Sequence, residues 1–434
     1  MWPSSWAALL LLCLTHITLG RPSAPSKMQR RDDSDRKVFA HYMVGLTSGQ
    51  TASKWALDIS EAQTASIDGF ALNCGPADSW TYDQLTLAYA AASEAGFLLF
   101  ISFDFAAGDW DVSSVAGTIS TYKDSSAQWT QDGRPVVSTF EGPSWVDNWT
   151  TVRGQVDGGI WLIPDWSSLG AAGVGNVQGS IDGAFNWESW PLAGQTSKNT
   201  DADVGYVNAL GSDKKYMMGV SPYFFTDLPA YGKNWYSSSE TLWYDRWMQV
   251  FDIMPDFIQI ISWNDFGESH YISDIEDSQI VSGAEWYVQN HPHAAFRLTL
   301  PYFIAAYKAG TKDITPPTGD VAIAWYKTVA VGDRAAGGAV WGQGGTEPAY
   351  SGASDVVSVL AITGSSGVVA LQLGDTKHSV DVAGPVAFFT AGMPAGGGQV
   401  ILSLNGEPAE GPAIGTALSS SDSVDFNSVV ISVP

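Results

Sequence analysis

The sequence predicts an α/β fold, a (β/α)8 TIM barrel followed by a C-terminal β-sandwich. Over the first three hundred residues, short β-prone apolar runs alternate with helical stretches, and the runs number eight. Near Thr315-Pro316-Pro317 the composition shifts to Gly, Ser, Val and Ala, with short β-prone runs such as Val368–Leu373 and Gln399–Leu404, the pattern of a separate sandwich. A chain of 434 residues exceeds what one hydrophobic core usually serves, so its length also fits two domains.

The eight strands are expected at Val38–Val44, Gly69–Asn73, Phe97–Phe103, Pro135–Phe140, Ile160–Ile163, Ile181–Phe185, Tyr216–Val220 and Phe257–Ser262. Helical stretches such as Ala52–Ala65, Tyr82–Ala95, Val204–Leu210 and Glu240–Phe251 lie between them, and Phe296–Lys308 closes the ring. A doubly wound open sheet is the competing arrangement. Yet the first strand runs through Val44-Gly45-Leu46 into a Ser/Thr-containing loop rather than a Gly-rich phosphate fingerprint, which disfavours a nucleotide fold.

Ahead of the barrel, the apolar run Trp6–Leu14 and the stretch Thr18-Leu19-Gly20 read as a secretory signal peptide over residues 1–20, too short to span a bilayer. The basic pair Arg30-Arg31 marks a second processing point, so residues 21–37 form a pro-segment or linker, 38–314 the barrel and 315–434 an accessory sandwich. A secreted, extracellular or wall location follows. Losing the signal removes Cys13 and leaves Cys74 with no disulfide partner. Asn148-Trp149-Thr150 offers a glycosylation site at Asn148, which suits that location. The formal charge of −24 becomes more negative once residues 1–31 are lost, because they hold Arg21, Lys27, Arg30 and Arg31 and no acid. Such a surface repels nucleic acids and anionic polymers, no other segment is apolar enough for a membrane, and a monomer acting on a neutral partner is expected.

Barrel enzymes carry their chemistry on the loops after the strand C-termini. Those positions hold His41, Asn73, Asp104, Glu141, Asp165 with Trp166, Asn186-Trp187-Glu188, Ser221-Pro222-Tyr223 and Trp263-Asn264-Asp265. The opposite ends, such as Ala95-Gly96 and Asp132-Gly133, read as turns. The most informative stretch is Ile261-Ser262-Trp263-Asn264-Asp265-Phe266-Gly267-Glu268-Ser269-His270-Tyr271 after the eighth strand. Glycoside hydrolysis needs one protonated carboxyl to donate to the leaving oxygen and one carboxylate to attack the sugar or activate water; Asp265 and Glu268 supply both. Gly267 between them permits a turn that brings both acids to one cleft. Trp263 and Phe266 could desolvate one acid while Asn264, Ser269 or His270 hold the other ionised. A D-x-x-E pair is ordinarily a solvated loop feature, and its place at a strand end within an aromatic cluster is what argues otherwise.

Asp104 has a similar setting and is a further site carboxylate or a buried structural acid. Asp165 has the same two explanations, and His41 is either a donor to a sugar hydroxyl or a hydrogen-bonded core residue. Aromatic residues make up 12% of the chain, with 19 Trp, and an indole face packs well on the C–H face of a pyranose. Expected sugar contacts are therefore His41, Asn73, Asp165, Trp187, Tyr223, Trp263, Asn264 and His270, whereas Trp243 and Trp247 read as packing. The rings of Trp325, Tyr326, Trp341 and Tyr350 read as sandwich core more readily than as sugar platforms. No cofactor is implied, no metal arrangement stands out because His291-Pro292-His293 is too tight, and no Gly-x-Ser-x-Gly elbow serves a serine mechanism.

The segments Val38-Phe39-Ala40-His41-Tyr42-Met43-Val44-Gly45, Asp68-Gly69-Phe70-Ala71-Leu72-Asn73, Ser102-Phe103-Asp104 and Trp263-Asn264-Asp265-Phe266-Gly267-Glu268-Ser269 resemble glycoside hydrolase family 71, the fungal α-1,3-glucanases or mutanases. The resemblance runs from about Val38 to Lys308. It implies inverting, endo-type cleavage of α-1,3-glucan, with Glu268 as general acid, Asp265 as general base and Asp104 as a third important acid. By themselves the residues give a neutral-polysaccharide hydrolase. A retaining β-glucanase, or a wall-binding protein without catalysis, are the alternatives.

Overall fold

The computed structural model describes residues 36–315, 319–331, 338–415 and 424–433. The expected signal peptide, Cys13, Arg30-Arg31, and Pro316 and Pro317 lie outside the described residues. Eight parallel strands follow one another in space as in sequence: β1 (Lys37–Met43), β2 (Gly69–Cys74), β3 (Leu98–Asp104), β4 (Arg134–Phe140), β5 (Trp161–Leu162), β6 (Gly183–Asn186), β7 (Lys215–Val220) and β8 (Phe257–Ile260). β8 returns to pair with β1, so the sheet curls. No ladder joins β5 to β6. There the backbone bonds Asp182 N to Leu162 O (2.9 Å) and Phe185 N to Pro164 O (2.9 Å) span the gap, and Asp165 bridges to both Phe140 and Phe185.

Helices on the outer face are α1 (Ala52–Thr64), α2 (Thr81–Ala95), α3 (Val112–Tyr122), α4 (Asn148–Gln155), α5 (Gly170–Val177), α6 (Asp201–Leu210), α7 (Leu242–Ile253) and α8 (Leu300–Lys308). Thr51 caps α1, its hydroxyl accepting from the Lys54 amide at 3.2 Å and satisfying one of the free donors of the first turn. α5 contains three glycines, poor helix formers, and forms because it packs on α6, where Gly175 faces Ala209 and Ala171 faces Gly205.

Alternation of side chains along each strand separates two cores. Val38, Ala40 and Tyr42 face the helices, whereas Phe39, Phe100, Trp129, Val136, Trp161, Phe185, Met217 and Phe257 fill the concave side. Phe39 packs on Trp129 in a tilted pair at 4.4 Å, and Trp129 meets Phe257 edge-on at 4.9 Å, so aromatic rings plug the amino-terminal end of the strands.

The remaining chain forms two four-stranded antiparallel sheets. One holds β9 (Val321–Lys327), β10 (Val356–Ile362), β13 (Val386–Gly392) and β16 (Ser428–Val433); the other holds β11 (Gly367–Leu373), β12 (Thr376–Val382), β14 (Gly398–Leu404) and β15 (Glu407–Ile414). A core of Ala322, Val359, Leu371 and Leu402 lies between them. The first sheet also joins the larger core: Trp325 packs on Phe296, Phe388 stacks on Tyr244 at 4.3 Å, and the buried Lys327 ammonium pairs with Glu240 at 2.8 Å. Trp325 and Tyr326 are interior rings, 1% and 2% exposed.

Candidate active site

The parity that sends Phe39, Ala71 and Phe100 to the concave side sends His41, Asn73 and Asp104 there too, nearer the strand C-termini. Together with Asp78, Phe140, Trp187, Leu228, Tyr231, Lys233, Asp265 and Glu268 they line a cavity of about 670 Å³. The two motif acids lie at its wall with side chains 15% and 12% exposed, so neither is out in bulk water.

A short 3-10 turn, Phe266–Glu268, carries the pair. The turn expected at Gly267 is present, and its left-handed residue is Ser269, at φ 59°. Gly267 packs closely: a Cβ there would meet Leu228 Cδ1 at 3.2 Å, and its carbonyl accepts from the Tyr287 hydroxyl at 2.8 Å. The nearest carboxylate oxygens of Asp265 and Glu268 and a ring nitrogen of His270 lie within 4.8 Å of one another. A cation held there would compete with Lys233, whose Nζ is 2.5 Å from Glu268 Oε1.

The two acids differ in charge environment. Burial, then the negative charge of Glu268, pushes Asp265 above the usual carboxylate range, against the fields of His270 and Lys233. Burial pushes Glu268 up as well, but the His270 hydrogen bond and the Lys233 charge outweigh it and hold Glu268 at about 2. An ionised Glu268 only accepts, so His270 donates from Nε2 to Glu268 Oε2 (3.0 Å), and its Nδ1 lies 2.9 Å from the Ser262 hydroxyl. Ser262 Oγ in turn accepts from the Asp265 amide at 2.8 Å. Burial and the neighbouring His270 depress His41 to about 3, so it is neutral. Gln259 donates to its Nδ1 at 2.8 Å, which leaves Nε2–H as a donor. The buried Nδ2 of Asn73 has no partner. Asp104 is raised by burial, against the amides of Ala107 and Ala106, which its Oδ1 accepts at 2.9 Å each.

The family model for glycosyl hydrolase family 71 matches residues 34–434. The chain belongs to that family. A mutanase of Penicillium rubens is 36% identical over 427 residues, covering 94% of this chain and 92% of its own. Two proteins of Schizosaccharomyces pombe also match this family 71 chain. A glucan endo-1,3-alpha-glucosidase is 36% identical over 65% of this chain and 68% of its own, and an ascus wall endo-1,3-alpha-glucanase is 30% identical over 86% and 90%.

Among the residues expected in the family 71 site, His41, Asn73, Asp104, Trp187, Asp265 and Glu268 line the cavity. His270 lies behind Glu268 as its hydrogen-bond donor. Trp263 is fully buried against Phe70 with the Arg297 guanidinium 5.5 Å from its ring, and Asn264 ties the loop to β1 by accepting from the Met43 amide at 2.8 Å. Tyr223 is buried too, its hydroxyl donating to Phe426 O at 2.7 Å. Asp165 is 1% exposed and accepts from the Ser167 amide at 3.1 Å and the Ser167 hydroxyl at 2.5 Å. Ser167 Oγ accepts from the Trp187 amide, so Asp165 touches the cavity wall indirectly. Glu141 binds the Ser168 amide at 3.0 Å, outside the cavity lining. Asn148 begins α4 and is half-buried beside buried Trp149. Cys74 is buried and free. Neither Lys233 nor Gln259 was expected at the site from sequence reasoning, although Lys233 is the only lysine between Lys215 and Lys308. No described helix is long and apolar enough to cross a membrane.

Proposed function

We propose that the protein is a secreted, endo-acting hydrolase of α-1,3-glucan, with Asp265 and Glu268 as its working carboxylates. The observation that carries this is two acids lining one cavity with their proton affinities shifted in opposite directions, the split that acid–base catalysis needs. The names of the relatives support the substrate, and the apolar run Trp6–Leu14 supports secretion. We also read the curled sheet as a (β/α)8 ring whose last join, β5 to β6, runs through Asp165, and residues 315–434 as the accessory domain.

The resting charges favour the opposite division of labour from the one the family resemblance implies. Asp265, the acid whose proton affinity is raised, donates to the glycosidic oxygen as its bond to the anomeric carbon breaks. Glu268, kept ionised, takes a proton from the water that attacks the anomeric carbon from the other face, and the anomer inverts. The His41 Nε2–H and Asn73 Nδ2 donate to sugar hydroxyls, and Trp187 packs on a ring face. A retaining course is the second possibility, favoured by carboxylate oxygens within 4.8 Å, since retention needs the closer pair.

Glu268→Gln and Asp265→Asn are each expected to lose about 10²–10⁴ of activity on α-1,3-glucan. On a glucosyl fluoride, whose leaving group needs no proton, Asp265→Asn should keep activity and Glu268→Gln should not; the converse restores Glu268 as the acid. Proton NMR of the first anomer released separates inversion from retention. Unimpaired polymer cleavage by Glu268→Gln would end the proposal.

A further inference from the structure

One hairpin reaches into the cavity from outside the ring. Its strands, Phe225–Leu228 and Lys233–Tyr236, pair antiparallel, with Lys233 opposite Leu228. A third strand, Val340–Trp341, pairs with it in parallel, Trp235 beside Val340 and Tyr236 beside Trp341. The Gly342 amide donates to Tyr236 O at 2.8 Å, and the Trp341 indole donates to Ser238 Oγ at 3.1 Å. Trp341 is tightly seated, for a Cβ on Gly352 would come within 2.0 Å of its ring nitrogen. A segment more than seventy residues past the catalytic motif thus completes the sheet that carries Lys233.

Lys233 matters because of what surrounds it. The cavity is lined by the acids Asp78, Asp104, Asp265 and Glu268, and the basic side chains there are Lys233 and His41. Facing Glu268 are Lys233 from the hairpin, His270 and Asp265 from its own loop and His41 from β1, while Asp104 of β3 also feels the Lys233 charge. With His41 neutral, Lys233 is the positive charge among the side chains that line the cavity.

We propose that Lys233 is the positioning residue of this site: its ammonium, 2.5 Å from Oε1, fixes the Glu268 carboxylate, and the strand Val340–Trp341 fastens the hairpin that delivers it. The C-terminal region is thereby part of the catalytic scaffold. Its importance for turnover rests on the role given to Glu268 above, whereas its effect on the free carboxylate does not.

The test is a ¹³C-carboxylate NMR titration of protein labelled at glutamate, with the Glu268 resonance assigned by its loss in Glu268→Gln. Lys233→Met should raise the Glu268 midpoint by about 1–3 pH units, the usual effect of a neighbouring opposite charge, and Lys233→Arg should return most of it. Lys233→Gln serves if the Met variant does not fold. The acidic limb of kcat/KM on α-1,3-glucan should move up in parallel, with kcat affected more than KM. Trp341→Ala should move the midpoint in the same direction by less. An unmoved midpoint in Lys233→Met overturns the proposal, and an unmoved midpoint in Trp341→Ala alone removes the fastening strand from it. Failure of the hydrolase assignment would show separately, as undiminished glucan cleavage by Glu268→Gln.

Discussion

Replacing Asp165 by Asn should make the protein less sensitive to rising pH. Asp165 is buried where β5 and β6 meet, with Oδ1 held by Ser167 and Oδ2 lacking any partner. Burial, with the Glu141 charge adding and Ser167 opposing, pushes its carboxyl from 3.8 to about 8. The folded chain therefore keeps a proton that the unfolded chain releases near pH 4. Unfolding releases that proton throughout the window between the two values, so raising the pH favours unfolding, and the loss levels off above pH 8. At about 1.4 kcal/mol per pH unit, the penalty accumulated from pH 5 to pH 7 is on the order of 3 kcal/mol. Asn mimics the neutral acid, retains the acceptor for Ser167, and has no such term. Scanning calorimetry at one scan rate should show wild type losing a few degrees more of Tm than Asp165→Asn between pH 5 and pH 7. The same pH dependence in both proteins would refute burial as the governing effect.

Two further substitutions test the packing that supports the site. Arg246 and Asp203 are both fully buried, paired at 2.9 and 3.2 Å, and Arg246 also donates to Gly219 O at 2.7 Å. Asp203→Ala leaves the guanidinium uncompensated and should cost about 3–5 kcal/mol, read as a lower Tm and lower soluble yield; an unchanged Tm would show the charge is satisfied without Asp203. Gly219→Ala places a Cβ 2.2 Å from Ser189 Oγ, 2.7 Å from Asn186 O and 3.1 Å from Ile261 Cδ1. It should cost about 1–3 kcal/mol by overpacking, and a variant as stable as wild type would mean that β7 shifts freely.

Much of the fold was legible because its signals are local. Predicted strands such as Phe97–Phe103 and observed ones such as Leu98–Asp104 differ by a residue, since a run buried on both faces is apolar throughout. Their place at the C-terminal ends of successive strands likewise put His41, Asn73 and Asp104 on one face. The helix Gly170–Val177 resisted such reading because three glycines argue against it, and only contact with the helix Asp201–Leu210 makes it form.

What the sequence alone determined is the cast: eight β-prone runs, the family 71 motif, and two acids three residues apart. Their environments were decided by tertiary structure. Trp263, Asn264 and Tyr223 look like sugar contacts by position and chemistry, yet the folded chain uses them to bind its own backbone and core. Lys233 lies thirty-five residues from Glu268 and touches it only because a hairpin folds back over the strand ends. A carboxyl's proton affinity depends on which charges and how much water lie within a few ångströms, and those distances exist only once the chain has closed on itself.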